Sequence, residues 1–138
     1  NFKFEIIYFY NVYGPRQIKH GNMATVIGIF ENQYSKNKPL TVVKPGSQSR
    51  KFTHIDDTIK VCYEAWKKNK CAHYSIFHKK SYSILETAKM FKSKVKLIKA
   101  RPGERYASSL VKMSLNNKII QRFGKINLKD YISSFIKG

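Results

Sequence analysis

Short apolar runs and helical stripes alternate along this chain. Residues 4–11, Phe-Glu-Ile-Ile-Tyr-Phe-Tyr-Asn, form a nearly continuous apolar and aromatic run. Its length and β-propensity predict a strand buried on both faces, as in a parallel sheet with helices above and below. Such a strand needs neighbours. Tyr13-Gly14-Pro15 closes it as a turn, and a loop through His20 and Gly21 follows. Met23, Val26, Ile27, Ile29 and Phe30 then recur at helical spacing. Asn22 is placed as the N-cap of this helix, which should end near Tyr34, before Lys36-Asn37-Lys38-Pro39.

Leu40-Thr41-Val42-Val43 reads as a short strand closed by Pro45-Gly46, and residues 50–55 as a second extended piece. Asp56 and Asp57 suit the positive end of a helix over residues 57–68, with Ile59, Cys62, Tyr63 and Trp66 expected on its inner face. Residues 73–77 read as a strand. Ser81 is placed as the cap of a helix that turns Ile84, Leu85, Ala88 and Phe91 inward. Residues 95–98 read as another strand, and two short helices, 114–123 and 128–136, flank Gly124. The alternation is of α/β type. No internal repeat or low-complexity segment occurs.

At 138 residues and 16.1 kDa the chain holds one domain or part of a larger one. An apolar share of 42% argues against a disordered tail. Lysine and arginine outnumber acidic residues 27 to 8, a net charge of +19, which predicts attraction to anions, phosphate above all. The excess is mostly lysine, 22 against 5 arginines, so charge alone does not separate a nucleotide ligand from a nucleic acid. Cys62 and Cys71 make no disulfide framework and no zinc spacing; reduced thiols are expected. His20, His54, His73 and His78 show no metal-ligand spacing, and no metal is expected. With no apolar run of about 20 residues and no signal-peptide shape, the expectation is a soluble, cytoplasmic protein without a membrane partner. The start at Asn1, almost directly in an apolar run, suggests a piece of something longer.

Four segments can carry chemistry: Asn11-Val12-Tyr13-Gly14-Pro15-Arg16-Gln17, Arg50-Lys51-Phe52-Thr53-His54-Ile55-Asp56-Asp57, Ser81 to Glu86, and Arg101-Pro102-Gly103-Glu104. Each alone fits a turn, a solvated arginine or a helix cap. In this order they resemble the C-terminal half of the nucleotide-sugar epimerases and dehydratases, the extended short-chain dehydrogenase/reductase family of UDP-glucose 4-epimerase type. The resemblance runs from about Phe4 to the C-terminus. It implies the C-terminal part of a Rossmann-type α/β fold, one buried strand plus a small mixed α/β substrate-binding domain over residues 1–138, with the N-terminal NAD-binding domain absent. It also implies a UDP-sugar or other nucleotide-diphosphate sugar as ligand. Arg50 and Arg101 match the diphosphate-binding arginines, whose planar forks suit phosphate oxygens. Asn11 matches the asparagine that meets substrate at the end of its strand. Asn22 corresponds to a helix start near the nucleotide.

The chain departs from the family pattern at Tyr8, Lys51, Ser75-Ile76-Phe77, Lys112-Met113-Ser114 and Arg122-Phe123-Gly124, which leaves the sugar unread. The glycine-rich loop and the catalytic Tyr-x-x-x-Lys pair of the family are missing. Tyr34/Lys38 and Tyr63/Lys67 have that spacing by coincidence: Tyr34 is expected in a solvated turn and Tyr63 as a packing residue. NAD is therefore a cofactor of the full-length family, not one expected bound here. The chain should be inactive alone, its missing half supplied in cis or in trans. Two other readings stay open. One is a small basic nucleic-acid-binding module, with Tyr8, Tyr10 and Tyr74 near lysines, although no recognition signature accompanies the charge and nucleic acid is not the expected partner. The other is a truncated product that folds by self-association as a homo-oligomer. Lysines alternating with apolar residues over 89–99 read as a helix end and an edge strand guarded by charge.

Overall fold

The computed structural model describes residues 2–100 and 118–138. Strand β1, Ile6–Phe9, pairs in parallel with β6, His73–His78, and β6 in parallel with β9, Ile119–Gly124. Helix α2, Ile55–Lys68, packs on one face of this sheet, where Val61 and Ala65 meet Tyr74 and Ile76. The strand expected across 4–11 thus pairs over four residues, of which Ile6, Ile7 and Tyr8 are half-buried and Phe9 is exposed, rather than enclosed on both faces.

The larger core lies beside that sheet. Helix α1, Val26–Ser35, strand β3, Leu40–Val43, helix α3, Ile84–Met90, and helix α4, Leu128–Lys137, enclose Phe30, Leu40, Val42, Phe52, Phe91, Leu128 and Ile132. β3 pairs in parallel with β8, Val95–Ile98. β4, Ser49–Lys51, pairs antiparallel with β7, Ser81–Ser83. Two-residue bridges, β2 at Val12–Tyr13 and β5 at Thr53–His54, join the two bodies, because β5 runs directly into α2.

Several expectations are corrected. Asn22 is exposed in a turn, and Thr25 caps α1 by accepting from Gly28 N–H at 3.0 Å. Ser81 opens β7; the cap of α3 is Ser83, in a capping box with Glu86. Residues 119–124 form a strand instead of a helix, because β9 finds a full ladder against β6. On α2 the buried positions are Asp57, Thr58, Val61 and Ala65, while Ile59, Tyr63 and Trp66 lie 57%, 58% and 72% exposed. Tyr34 packs against Phe91 and Phe135 instead of facing solvent. By contrast, β3, β8 and the inward residues Ala88 and Phe91 match the sequence reading.

Candidate functional site

The segment that follows β1 and carries β2 has two residues with positive φ on either side of that bridge. Asn11, at φ 38°, donates from Nδ2 to the Lys51 carbonyl at 2.7 Å, which ties the end of β1 to β4. Gly14 lies at φ 156°, and a Cβ there would stand 2.5 Å from Ile55 Cγ2. Only glycine lets this turn close against α2. Beneath it, the buried Tyr13 donates to the Ile126 carbonyl at 3.1 Å, its ring edge against Phe52, His54 and Tyr131. Burial first, and then Asp57, push the Tyr13 phenol above its ordinary range. Burial and the hydrogen bond to Glu31 do the same for Tyr131. Neither phenol is poised for proton transfer near neutrality.

A second polar network holds the start of α1. Gln17 donates to the buried Glu31 at 2.9 Å and accepts from Thr25 Oγ1 at 2.8 Å. Lys19 stands 3.1 Å from Glu31, and Tyr131 donates to it at 2.7 Å. Every polar group named has a partner, so this cluster fixes the helix start.

Between that helix start and β4 opens a cavity of about 400 Å³. Its lining includes Ala24, the cap Thr25, and Val26 and Ile27 at the start of α1, together with Asn11 and Arg50. Phe30, Val43, Phe52, Ile84 and Ile98 supply apolar surface, with Thr41 and Gln48 as polar points. Gln48 is 1% exposed and donates to the Val43 carbonyl at 3.2 Å. Arg50 lies on β4 opposite Tyr82, its Nη1 donating to the Ser49 carbonyl at 2.9 Å. A guanidinium and a helix N-terminus around one apolar-walled cavity suit a ligand with a flat apolar part and an anionic part.

Of the four sequence-derived site residues, Asn11 and Arg50 line this cavity. Asn22 is exposed and is not among its lining residues. Arg101 lies outside the described residues. The sequence reading missed Thr25 and Gln48. Thr25 carried a signal, since threonine favours the N-cap; Gln48 carried none beyond its closeness to Arg50. His54 is buried at 6% exposure and caps α2, its Nδ1 accepting from Asp56 N–H at 3.2 Å. Among the described residues no three His, Cys, Asp or Glu side chains group to hold a metal, and no helix is long and apolar enough to cross a membrane. The described glycines include no strand-to-helix loop that fits the pyrophosphate of NAD: Gly14 packs on Ile55, and Gly46 leads into β4.

Comparison with known proteins adds to this geometry. The chain is 42% identical over 55 residues to an uncharacterized UDP-glucose epimerase, YtcB, of Bacillus subtilis, a stretch covering 40% of this chain and 16% of that protein. Its fold matches that of the Thermotoga maritima UDP-glucose 4-epimerase, solved with UDP-glucose, at TM-score 0.80 and 19% identity, over 98% of this chain and 45% of that one. It also matches the Bacillus cereus UDP-glucuronic acid 4-epimerase, solved with UDP-glucuronic acid and NAD, at TM-score 0.71 and 28% identity, over 96% of this chain and 44% of that one. The chain thus spans less than half the length of these structures. The α/β fold is the Rossmann-type fold of these enzymes. The family model for NAD dependent epimerases/dehydratases matches residues 1–77, more than half of the 138, and the chain belongs to that family.

Proposed function

We propose that the cavity between α1 and β4 binds the nucleoside diphosphate portion of a UDP-sugar or related nucleotide sugar. On this reading residues 1–138 are the substrate-binding part of an epimerase or dehydratase, inactive alone. The observation that carries the reading is that Arg50 and the N-terminal turn of α1 line one apolar-walled cavity. A volume of about 400 Å³ takes a nucleoside and its phosphates. Arg50 holds the diphosphate by paired hydrogen bonds, and the positive end of the α1 dipole favours the same anion. The apolar walls take the base, with Thr41 and Gln48 offering hydrogen bonds at its edge. Asn11, clamped to Lys51, positions the turn beside the diphosphate. Arg101 is assigned the second phosphate contact from the family resemblance. Asn22 keeps only its resemblance-based assignment, and Thr25 and Val26 take the helix-start role beside the nucleotide.

In the family, NAD supplies a reversible hydride acceptor. The described residues do not fit it, so the redox step belongs to another part of the fold, and the role left to this chain is to hold and orient substrate. The solved relatives with UDP-glucose and UDP-glucuronic acid support the ligand class. Calorimetric titration of this chain tests it. UDP and a UDP-sugar should bind in preference to inorganic phosphate, and Arg50→Ala should weaken that binding about 10- to 100-fold, the worth of a charge-assisted contact. Equal affinity for UDP and free phosphate refutes the reading.

A further inference from the structure

Two stretches of this chain carry no acidic residue: none lies between Glu31 and Asp56, and none between Glu86 and Glu104. The fold brings these stretches together, because β3 and β8 pair in parallel with Leu40 opposite Val95 and Val43 opposite Ile98. Lys36 and Lys38 lead from α1 into β3, and Lys44 follows it. Lys92 and Lys94 precede β8, Lys96 lies on it, and Lys99 follows it. All of these lysines are exposed, and none pairs with a carboxylate among the described residues. A face of one sign, with no interspersed opposite charge, attracts anions strongly.

The same face ends in a bare strand. Among the described residues β8 pairs with β3 alone. The Lys94 carbonyl accepts from Leu40 N–H at 2.7 Å and the Ile98 carbonyl from Lys44 N–H at 2.9 Å. Strand alternation therefore turns the backbone groups of Val95 and Leu97 away from β3. Lys94 and Lys96 fall on one face of the strand, about 6.6 Å apart at two residues of rise, and Val95 and Leu97 on the other. Leu97 is 45% exposed.

We propose that the outer edge of β8 receives an extended acidic segment of another polypeptide as an added strand. Carboxylates at every second position of that segment meet Lys94 and Lys96, its backbone completes the hydrogen bonds of Val95 and Leu97, and the apolar residues between its carboxylates cover Leu97. A second copy of this chain fits less well, because it brings a charge of +19 and the same lysines. Single-stranded nucleic acid answers the charge, but it offers no ladder to Val95 and Leu97. Nor does the strand present a ring for a base to stack on: Phe91, the nearest ring in sequence, is 0% exposed. The proposal is independent of UDP binding at Arg50.

The test titrates this chain, at physiological salt, with fluorescein-labelled synthetic peptides. One alternates glutamate with valine, a second gathers the same glutamates into one block, and a third is the alternating peptide methylated on its backbone nitrogens. The alternating peptide should bind about 10-fold more tightly than either control and slow amide exchange at Val95 and Leu97 about 10-fold. Lys94→Glu combined with Lys96→Glu, at exposed positions, should keep the melting temperature and weaken the alternating peptide about 10-fold. The peptide controls decide the matter without any variant. Equal binding of the three peptides, unchanged exchange at Val95 and Leu97, or undiminished binding by the double variant overturns the proposal. So does slowing of those amides by oligouridine but not by the alternating peptide, which would make the face a nucleic-acid surface.

Discussion

Asp57 Oδ2 accepts hydrogen bonds from two consecutive backbone amides, Lys125 N and Ile126 N, each at 2.9 Å. The second aspartate of the Ile-Asp-Asp segment thus does more than favour the positive end of α2. It ties the first turn of that helix to the loop between β9 and α4, across 68 residues of chain. The approach needs Gly124, where a Cβ would stand 3.0 Å from the same oxygen. Asp57→Ala leaves two amides without their charged acceptor and should cost about 2–4 kcal/mol. Asp57→Asn keeps an oxygen in the same place and loses only charge, so it should cost roughly half as much. Urea unfolding of both variants checks the order, and equal losses would mean that charge, not the acceptor, carries the contact.

The same contact explains why the buried face of α2 differs from the one its apolar periodicity predicts. Ile59, Tyr63 and Trp66 form the larger apolar stripe, and periodicity favours it. What sets the rotation of the helix is long-range: Asp57 must reach residues 125 and 126, and the small Val61 and Ala65 let the backbone lie close to Tyr74 and Ile76. Pairing also decided β9. Ile119-Ile120-Gln121 is too short a pattern to separate helix from strand, and the ladder to β6 that fixes it lies more than 40 residues away in sequence. Asn11 and Arg50 were legible because motif order marks them. The α1 wall of the cavity was not, because the cap falls at Thr25, three residues past the asparagine that looked like one.

Gly14 is the position in the Asn-Val-Tyr-Gly-Pro turn least able to change. A methyl group would meet Ile55 Cγ2 at 2.5 Å, and φ of 156° is one that side chains rarely adopt. Gly14→Ala should destabilise by about 2–4 kcal/mol, the sum of overpacking and backbone strain. Because His54 and Ile55 are displaced together, the variant should also weaken UDP binding at the cavity across the turn. A thermal melt and a UDP titration measure the two effects, and a melt that matches wild type refutes the first.

Tyr74 presents the opposite case. It is 1% exposed on the α2 side of β6, and its hydroxyl has no hydrogen-bond partner among the described residues. A buried hydroxyl left unpaired has lost its water without compensation. Tyr74→Phe keeps the ring and removes that group, so stability should hold or rise by up to about 1 kcal/mol. Tyr74→Leu, which also loses ring contacts with Val61 and Ala65, should fall. A loss of more than about 1 kcal/mol for Tyr74→Phe in urea unfolding would contradict an unpaired hydroxyl.

Glu5 gives the fold a dependence on acid. Its Oε1 accepts from Lys70 N at 2.6 Å and Cys71 N at 2.9 Å, and its Oε2 from Ala72 N at 2.7 Å, which locks the start of β1 beside the entrance to β6. The Ala72 amide, against a smaller opposing effect of desolvation and with help from Cys71 and Lys70, holds the carboxyl below its ordinary range. A carboxyl lowered in the folded state stabilises fully above its unfolded value of about 4.3, and that stability is lost as pH falls through the lower folded value. Glu5→Gln should therefore be less stable than wild type at pH 6, with the gap closing as pH falls below about 4.3 and through the lowered folded value. Glu86 is lowered in the same direction by the Ser83 amide in its capping box, so some acid sensitivity should persist in the variant. Urea midpoints across that range decide the matter: a gap that stays constant with pH would show that the Glu5 contacts act without their charge.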